Sequence, residues 1–279
     1  MDKYNLIPEQ LLYEGTIESD NLFEPDVLTE EQVLLTHDPE YWEKLKHQTL
    51  TPREIRKTGF PLSERLVHRE INIGKGTWMC TKFARQFGVS MNISGGTHHA
   101  FTNRGEGFCL LNDIAMAANL HLQEYPDHSI LVVDLDVHQG NGTAEIFQQE
   151  SRVFTFSMHC RANYPLQKEK SDLDLELPPY IEDAEYLRHL YETLPRLIDQ
   201  VQPDLAFFLS GVDIIETDKL GHLNVSRNGC KERDRFVFEQ MKRNQIPLVV
   251  SMGGGYSPRI SDIVEAHCNT YRSAQEIYF

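Results

Sequence analysis

The chain has no CxxC pair, no apolar run approaching the ~20 residues of a membrane span, and no surplus of positive charge. Each lack excludes something. Five scattered cysteines (Cys80, Cys109, Cys160, Cys230, Cys268) make neither a disulfide framework nor a thiolate zinc site, so buried free thiols are expected. Lys and Arg total 27 against 42 Asp and Glu, a net charge of -15. Phosphate binding needs a basic surface, which excludes nucleic acid as a direct ligand. A negative field favours cationic substrates or partners instead. The start, Met1-Asp2-Lys3-Tyr4-Asn5, lacks the basic and apolar regions of a secretory signal, which makes the cytoplasm the default location. No repeat, low-complexity segment or linker divides the 279 residues, so one domain over residues 1–279 is expected.

What is present is a set of short apolar strands that end in glycine and reactive side chains. Ser129 to Val133 is apolar enough for a buried parallel strand, and it runs into Asp134-Leu135-Asp136-Val137-His138-Gln139-Gly140-Asn141-Gly142. Alternate side chains of an extended backbone point the same way, so Asp134, Asp136 and His138 converge where this strand ends. Oxygen and nitrogen donors at that spacing suit half of a divalent-metal site, zinc included. The same residues would also serve a strand end that only hydrogen-bonds its own turn.

Three further strand ends favour the metal. Val89 to Ser94 leads into Gly95-Gly96-Thr97-His98-His99, Asp204 to Leu209 into Ser210-Gly211-Val212-Asp213, and Ile246 to Met252 into Gly253-Gly254-Gly255-Tyr256. Open α/β sheets bind ligands at the carboxyl ends of their strands. Four strands therefore deliver a histidine pair, an Asp/Asp/His set, an aspartate and a tyrosine to one sheet edge.

Helices fill the intervals. Thr29-Glu30-Glu31-Gln32 is a capping box, and Asp38-Pro39-Glu40 starts a helix carrying Tyr41, Trp42 and Leu45. Further helices are expected at about Lys75–Phe87, Leu110–Glu124, Ala144–Gln149, Asp183–Val201 (with Pro195 a possible kink), Glu232–Arg243 and Ser257–Arg272. Val153 to Met158 adds a strand, whereas Thr49 to Leu62 is expected as a surface loop and Tyr164 to Pro179 as an irregular one, its Lys168–Asp174 charges solvated. The alternation predicts a parallel sheet covered on both faces. His37, His121, His159 and His267 are expected at the surface or as satisfied core residues, and His222 falls near enough to Asp213 to approach the rim of a site.

Together the motifs at residues 95–99, Gly105-Glu106-Gly107-Phe108-Cys109, Asp134 to Thr143, Gly211-Val212-Asp213 and 253–256 resemble the zinc-dependent histone deacetylase family of the arginase/deacetylase superfamily. Asn163-Tyr164-Pro165 and Gly221-His222-Leu223-Asn224-Val225-Ser226 are most similar to its class IV branch and short bacterial relatives. The resemblance implies a single-domain, three-layer α/β/α fold with a mostly parallel central sheet. It implies Asp136, His138 and Asp213 as Zn2+ ligands, His98 and His99 as general base and acid, and Tyr256 as the group that polarises the substrate carbonyl. Asp134 would orient His98. Gly107 and Phe108 would form one wall of an acyl-lysine tunnel, with Tyr164 opposite and Gly255 adjoining. Asp134, Asp136, His138 and Ser157 resemble an inner K+ or Na+ site. The implied activity is removal of acetyl or longer acyl groups from the lysines of a protein or peptide. Acetylpolyamine or other small-amide hydrolysis is the alternative, and a catalytically silent acyl-lysine binder is disfavoured because the ligands and Tyr256 are all present.

Two-manganese, arginase-type chemistry needs extra carboxylates, and Gly140 and Ile215 stand where they would be expected. Two departures accompany the resemblance. Asn141 stands where class I enzymes pair the second histidine with aspartate; a neutral partner stabilises an imidazolium less, so His99 should be less often protonated. The family also begins with a strand ahead of its first helices. None is readable before Tyr4, so that strand is expected to be missing.

Overall fold

The structure, a computed structural model, describes residues 2–279. Its helices are α1 (Lys3–Tyr13), α2 (Glu30–Val33), α3 (Pro39–Lys46), α4 (Pro52–Thr58), α5 (Glu64–Phe87), α6 (Asp113–Glu124), α7 (Asn141–Phe147), α8 (Asp183–Val201), α9 (Arg227–Arg243) and α10 (Ile260–Tyr278). Its strands are β1 (Val89–Asn92), β2 (Ile130–Asp134), β3 (Val153–Cys160), β4 (Leu173–Leu177), β5 (Leu205–Leu209) and β6 (Leu248–Ser251). They form one sheet in the order β1-β6-β5-β2-β3-β4, and every neighbouring pair is parallel.

The apolar runs of β2 and β5 are buried along their whole length because helices cover both faces. Alternation divides them. Leu131, Val133, Ala206 and Phe208 pack on the face shared with α8, α9 and α10; Ile130, Val132, Phe207 and Leu209 pack on the face shared with α5, α6 and α7. Leu135 and Val137 continue the first set beyond the end of β2, which leaves Asp134, Asp136 and His138 on the opposite side. This parity aims the three polar side chains into the crevice and not into the core.

The caps are where the sequence places them. Thr29 and Gln32 form a reciprocal capping box on α2, and Asp38 caps α3 with Pro39 in its first turn. All five cysteines are free and buried. No helix among the described residues is long and apolar enough to cross a membrane.

Three local expectations need correction. The Tyr164–Pro179 loop contains β4, an edge strand paired with β3 from Phe156↔Leu173 to Cys160↔Leu177. Its charges are not simply solvated: Asp172 accepts from Thr155 N and Oγ1, and Asp174 accepts from Gln139 Nε2 and Ser171 N. The Thr49–Leu62 loop contains α4, started by a Thr51–Glu54 capping box ahead of Pro52 and ended at Gly59 with φ 74°. The helix expected from Lys75 begins a full eleven residues earlier, at Glu64, where the Ser63 hydroxyl accepts from Leu66 N. Pro195 lies inside α8, which runs unbroken from Asp183 to Val201.

Candidate functional site

The crevice opens at the carboxyl ends of β1, β6, β5 and β2, four neighbours in the sheet. Behind β1, Asp113 at the start of α6 holds the turn that carries the histidines. Its Oδ1 accepts from Gly96 N (3.0 Å), Thr97 N (2.7 Å) and Thr97 Oγ1 (2.7 Å), and its Oδ2 accepts from Thr77 Oγ1 (2.6 Å). His98 and His99 then lie side by side, ring centroids 4.1 Å apart, both nearly fully buried. His98 Nδ1 donates to Asp134 Oδ2 at 2.7 Å, and His99 Nδ1 donates to Asn141 Oδ1 at 2.6 Å. Both rings therefore keep Nδ1 protonated and present Nε2 toward the crevice.

These partners set opposite protonation states. Burial opposes charge on His98, but Asp134 and Asp136 outweigh it and raise its pKa to about 9. His99 has only the neutral Asn141; burial and the charges of His98 and His138 hold its pKa well below 6.5. The Asn141 hydrogen bond itself favours the imidazolium, but less than these opposing effects disfavour it.

Asp136, His138 and Asp213 each offer one ligand atom, all within 4.8 Å of one another. His138 Nδ1 lies 3.0 Å from Asp136 Oδ1 and 3.2 Å from Asp213 Oδ2. The other carboxylate oxygens are already used: Val137 N donates to Asp213 Oδ1 (3.0 Å), and Gly254 N donates to Asp136 Oδ2 (2.9 Å). Asp213 Oδ2 is buried with no hydrogen-bond donor. Burial, and then the neighbouring charge of Asp136, push the Asp213 carboxyl up to about 7. Two desolvated carboxylates beside an imidazole, one with an undonated oxygen, are the chemistry of a cation site, and this donor set fits zinc. Among the described residues it is the one cluster of its kind. Gly140 adds no ligand, and Ile215 is buried in the apolar core.

A cavity of about 370 Å³ encloses these groups, and Gly107, Phe108, Gly255 and Tyr256 line it. Gly107 has φ 53°, and a Cβ there would stand 2.6 Å from the His99 ring, so only glycine brings this wall so close. The Phe108 and Tyr256 rings are 6.0 Å apart. Tyr164 meets His99 edge-on, with centroids 5.0 Å apart, and its hydroxyl donates to Glu106 Oε2. The backbone N of Tyr256 donates to Asp218 Oδ2 at 2.6 Å, and burial with the nearby Asp213 and Asp136 charges keeps its phenol protonated. Ser157 stands opposite Asp134 in the β2–β3 register, and its hydroxyl bonds His159 Nδ1 at 2.9 Å. His222 is exposed and outside the cavity lining.

Other residues in and around the cavity were given no role in the sequence reading. Lys3, Tyr4 and Arg69 line it, and Lys3 Nζ donates to Gly253 O at 3.0 Å. Asn163 caps the far side of His138, with Nδ2 3.5 Å from its Nε2 and Oδ1 accepting from His222 N. Glu106, part of the Gly105–Cys109 motif, gathers Lys57, Arg104 and Tyr164 at the rim.

His37 is the satisfied core residue expected of it, and it braces this region. Its Nδ1 donates to Phe101 O and its Nε2 accepts from Asn112 N, both at 3.0 Å, so a second proton would break the latter bond. Burial holds its pKa at about 4. The unfolded chain takes that proton near pH 6.5, so stability present above 6.5 is lost as pH falls toward 4. The loss attributable to His37 is about 3 kcal/mol. Urea midpoints at pH 7 and pH 5 should therefore fall less steeply for His37→Gln than for wild type; equal falls would assign the acid sensitivity elsewhere.

Fold and site together define a parallel α/β protein with one buried cluster of candidate metal ligands beside a histidine pair. Residues 1–271 match the histone deacetylase domain, and the chain belongs to that family of hydrolytic deacetylases. It is 41% identical over 278 residues to an uncharacterized protein of Picosynechococcus sp., covering 100% of this chain and 93% of that one. It is 30% identical over 265 residues to Histone deacetylase 2 of Arabidopsis thaliana, covering 91% of this chain and 68% of that one. An HDAC homolog solved in complex with SAHA superposes with a TM-score of 0.82 over 98% of this chain and 77% of its own. At 23% identity that likeness speaks for the fold alone. Membership supports a deacetylase amidohydrolase activity, and the family normally uses a metal.

Proposed function

We propose that the protein removes acyl groups from lysine side chains, using zinc held by Asp136, His138 and Asp213, as a cytoplasmic enzyme of the class IV branch. The observation that carries this reading is the juxtaposition of that ligand set with His98, His99 and Tyr256 in one cavity. The metal would supply a Lewis acid for the carbonyl and a water of lowered pKa. In the reverse of the order that the resemblance implies, His99, neutral and with Nε2 free, takes the proton of the attacking water. His98, kept protonated by Asp134, returns a proton to the departing amine. The C–N bond breaks, and the products are a carboxylate and a lysine ammonium. Tyr256 donates its hydroxyl to the carbonyl oxygen as negative charge gathers there. Gly107, Phe108 and Gly255 would enclose the lysine stem and acyl group, with Tyr164, outside the cavity lining, packed against His99 beside them. Asp134, Asp136, His138 and Ser157 would surround a structural K+ or Na+ behind the ligands.

The net charge of -15 favours a second substrate class, acetylpolyamines, whose cationic bodies it would attract. A turnover comparison on the zinc-loaded protein separates them. kcat/KM should be highest for acetyl- or longer acyl-lysine peptides; a higher value for acetylpolyamine would move the assignment to small amines.

A further inference from the structure

The largest fully buried side chain in the molecule is charged, and it lies outside the cavity. Arg233 on α9 has no exposed surface. Its Nη1 donates to Gly211 O at 2.6 Å and Leu135 O at 3.2 Å, and its Nη2 donates to Ser210 O at 3.2 Å. Its Nε and Nη2 also meet Asp234 Oδ1 at 2.8 and 2.7 Å, and Asp234 Oδ2 accepts from Thr270 Oγ1 at 2.7 Å.

The three carbonyls have a common origin. Strands β2 and β5 stay in register only to Asp134↔Leu209, and then separate to open the crevice. Beyond that point Leu135, Ser210 and Gly211 carry buried carbonyls without ladder partners, and buried carbonyls need donors. Leu135 lies between Asp134 and Asp136, and Gly211 lies two residues before Asp213. One guanidinium thus bridges the two turns on which the carboxylate ligands ride. Its planar fork of five donors can span both; an ammonium, a compact point charge, cannot. Packing does not account for it, because apolar residues commonly replace a buried ion pair without loss of stability.

We propose that Arg233, neutralised by Asp234, is a positioning residue that fixes the separation of the two ligand turns and thereby the affinity of the site for its divalent ion. This rests on the metal reading above. Outer groups that orient metal ligands typically change affinity by about 10–100-fold, and a loss on that scale is expected here. The test is zinc affinity, measured by competition with a chromophoric chelator, for wild type, Arg233→Met, Arg233→Lys, Asp234→Asn and Leu194→Ala. Leu194, on α8, lies in the core on the same face of the sheet and makes no polar contact there, and serves as a control for general destabilisation.

Arg233→Met and Asp234→Asn should weaken zinc binding by about 10–100-fold, Arg233→Lys should recover little, and Leu194→Ala should bind as wild type does. Asp234→Asn keeps the Thr270 contact and supplies the answer if Arg233→Met fails to fold. Wild-type affinity in the Arg233 and Asp234 variants, or equal weakening by Leu194→Ala, would overturn the positioning role and leave the metal reading intact. Absence of zinc binding in wild type would overturn both.

Discussion

Asp213→Ala is expected to fold, to bind no zinc, and to lose all measurable hydrolysis. The native carboxylate is fully buried, faces Asp136 and has one oxygen without a donor, so a metal-free protein gains little from it. Its removal relieves the repulsion that pushes its own carboxyl up to about 7, and leaves Val137 N without an acceptor; these effects oppose each other. The large effect should therefore appear only with metal. A ligand at a hundred times its Kd stabilises the native state by about 2.7 kcal/mol. Thermal unfolding with and without zinc should show that gain for wild type and none for Asp213→Ala. An undiminished zinc-dependent rise in Tm in the variant would remove Asp213 from the ligand set.

Tyr256→Phe is expected to keep the fold and the metal but to lose about 10²–10³ in kcat, the usual result of deleting one oxyanion donor. The Tyr256 backbone is held by Asp218 and its ring packs near Phe108, and neither contact needs the hydroxyl. KM should change little, because the hydrogen bond strengthens only as charge develops on the carbonyl oxygen. The turn has the freedom this role requires: Gly253 has φ 67° and Gly255 φ 153°, both costly for other residues. Wild-type turnover in the variant would leave Tyr256 as a wall of the cavity and nothing more.

The parts of the site that could be read in the sequence are those set by strand parity. Asp134, Asp136 and His138 follow an apolar run at alternate positions, so their common direction needs no tertiary information. The other strand ends carry the same signature of apolar residues, then glycine, then a reactive side chain, and the sheet order brings those four ends together. Strand β4 was hidden because Asp174 and Glu176 interrupt Leu173, Leu175 and Leu177, and a half-exposed edge strand carries little apolar contrast. Helix α4 carries the same capping box and first-turn proline that mark α2 and α3, but its seven residues bury only Thr58 and so show no apolar face to read. Lys3 and Arg69 reach the cavity only through the docking of α1 and α5, which no spacing encodes. Arg233 is further still from legibility. A charged residue on a polar helix suggests solvent, and only the carbonyls left unpaired by β2 and β5 explain its burial.

The most direct test is acetate release from an acetyl-lysine peptide by the metal-free protein as zinc is added in measured equivalents. A single ligand set beside a histidine pair predicts activity that rises linearly and reaches its plateau at one zinc per chain. A plateau at two equivalents, or no acid released from either the acetyl-lysine peptide or its longer acyl counterparts at any loading of the folded protein, would contradict a single-metal lysine deacylase.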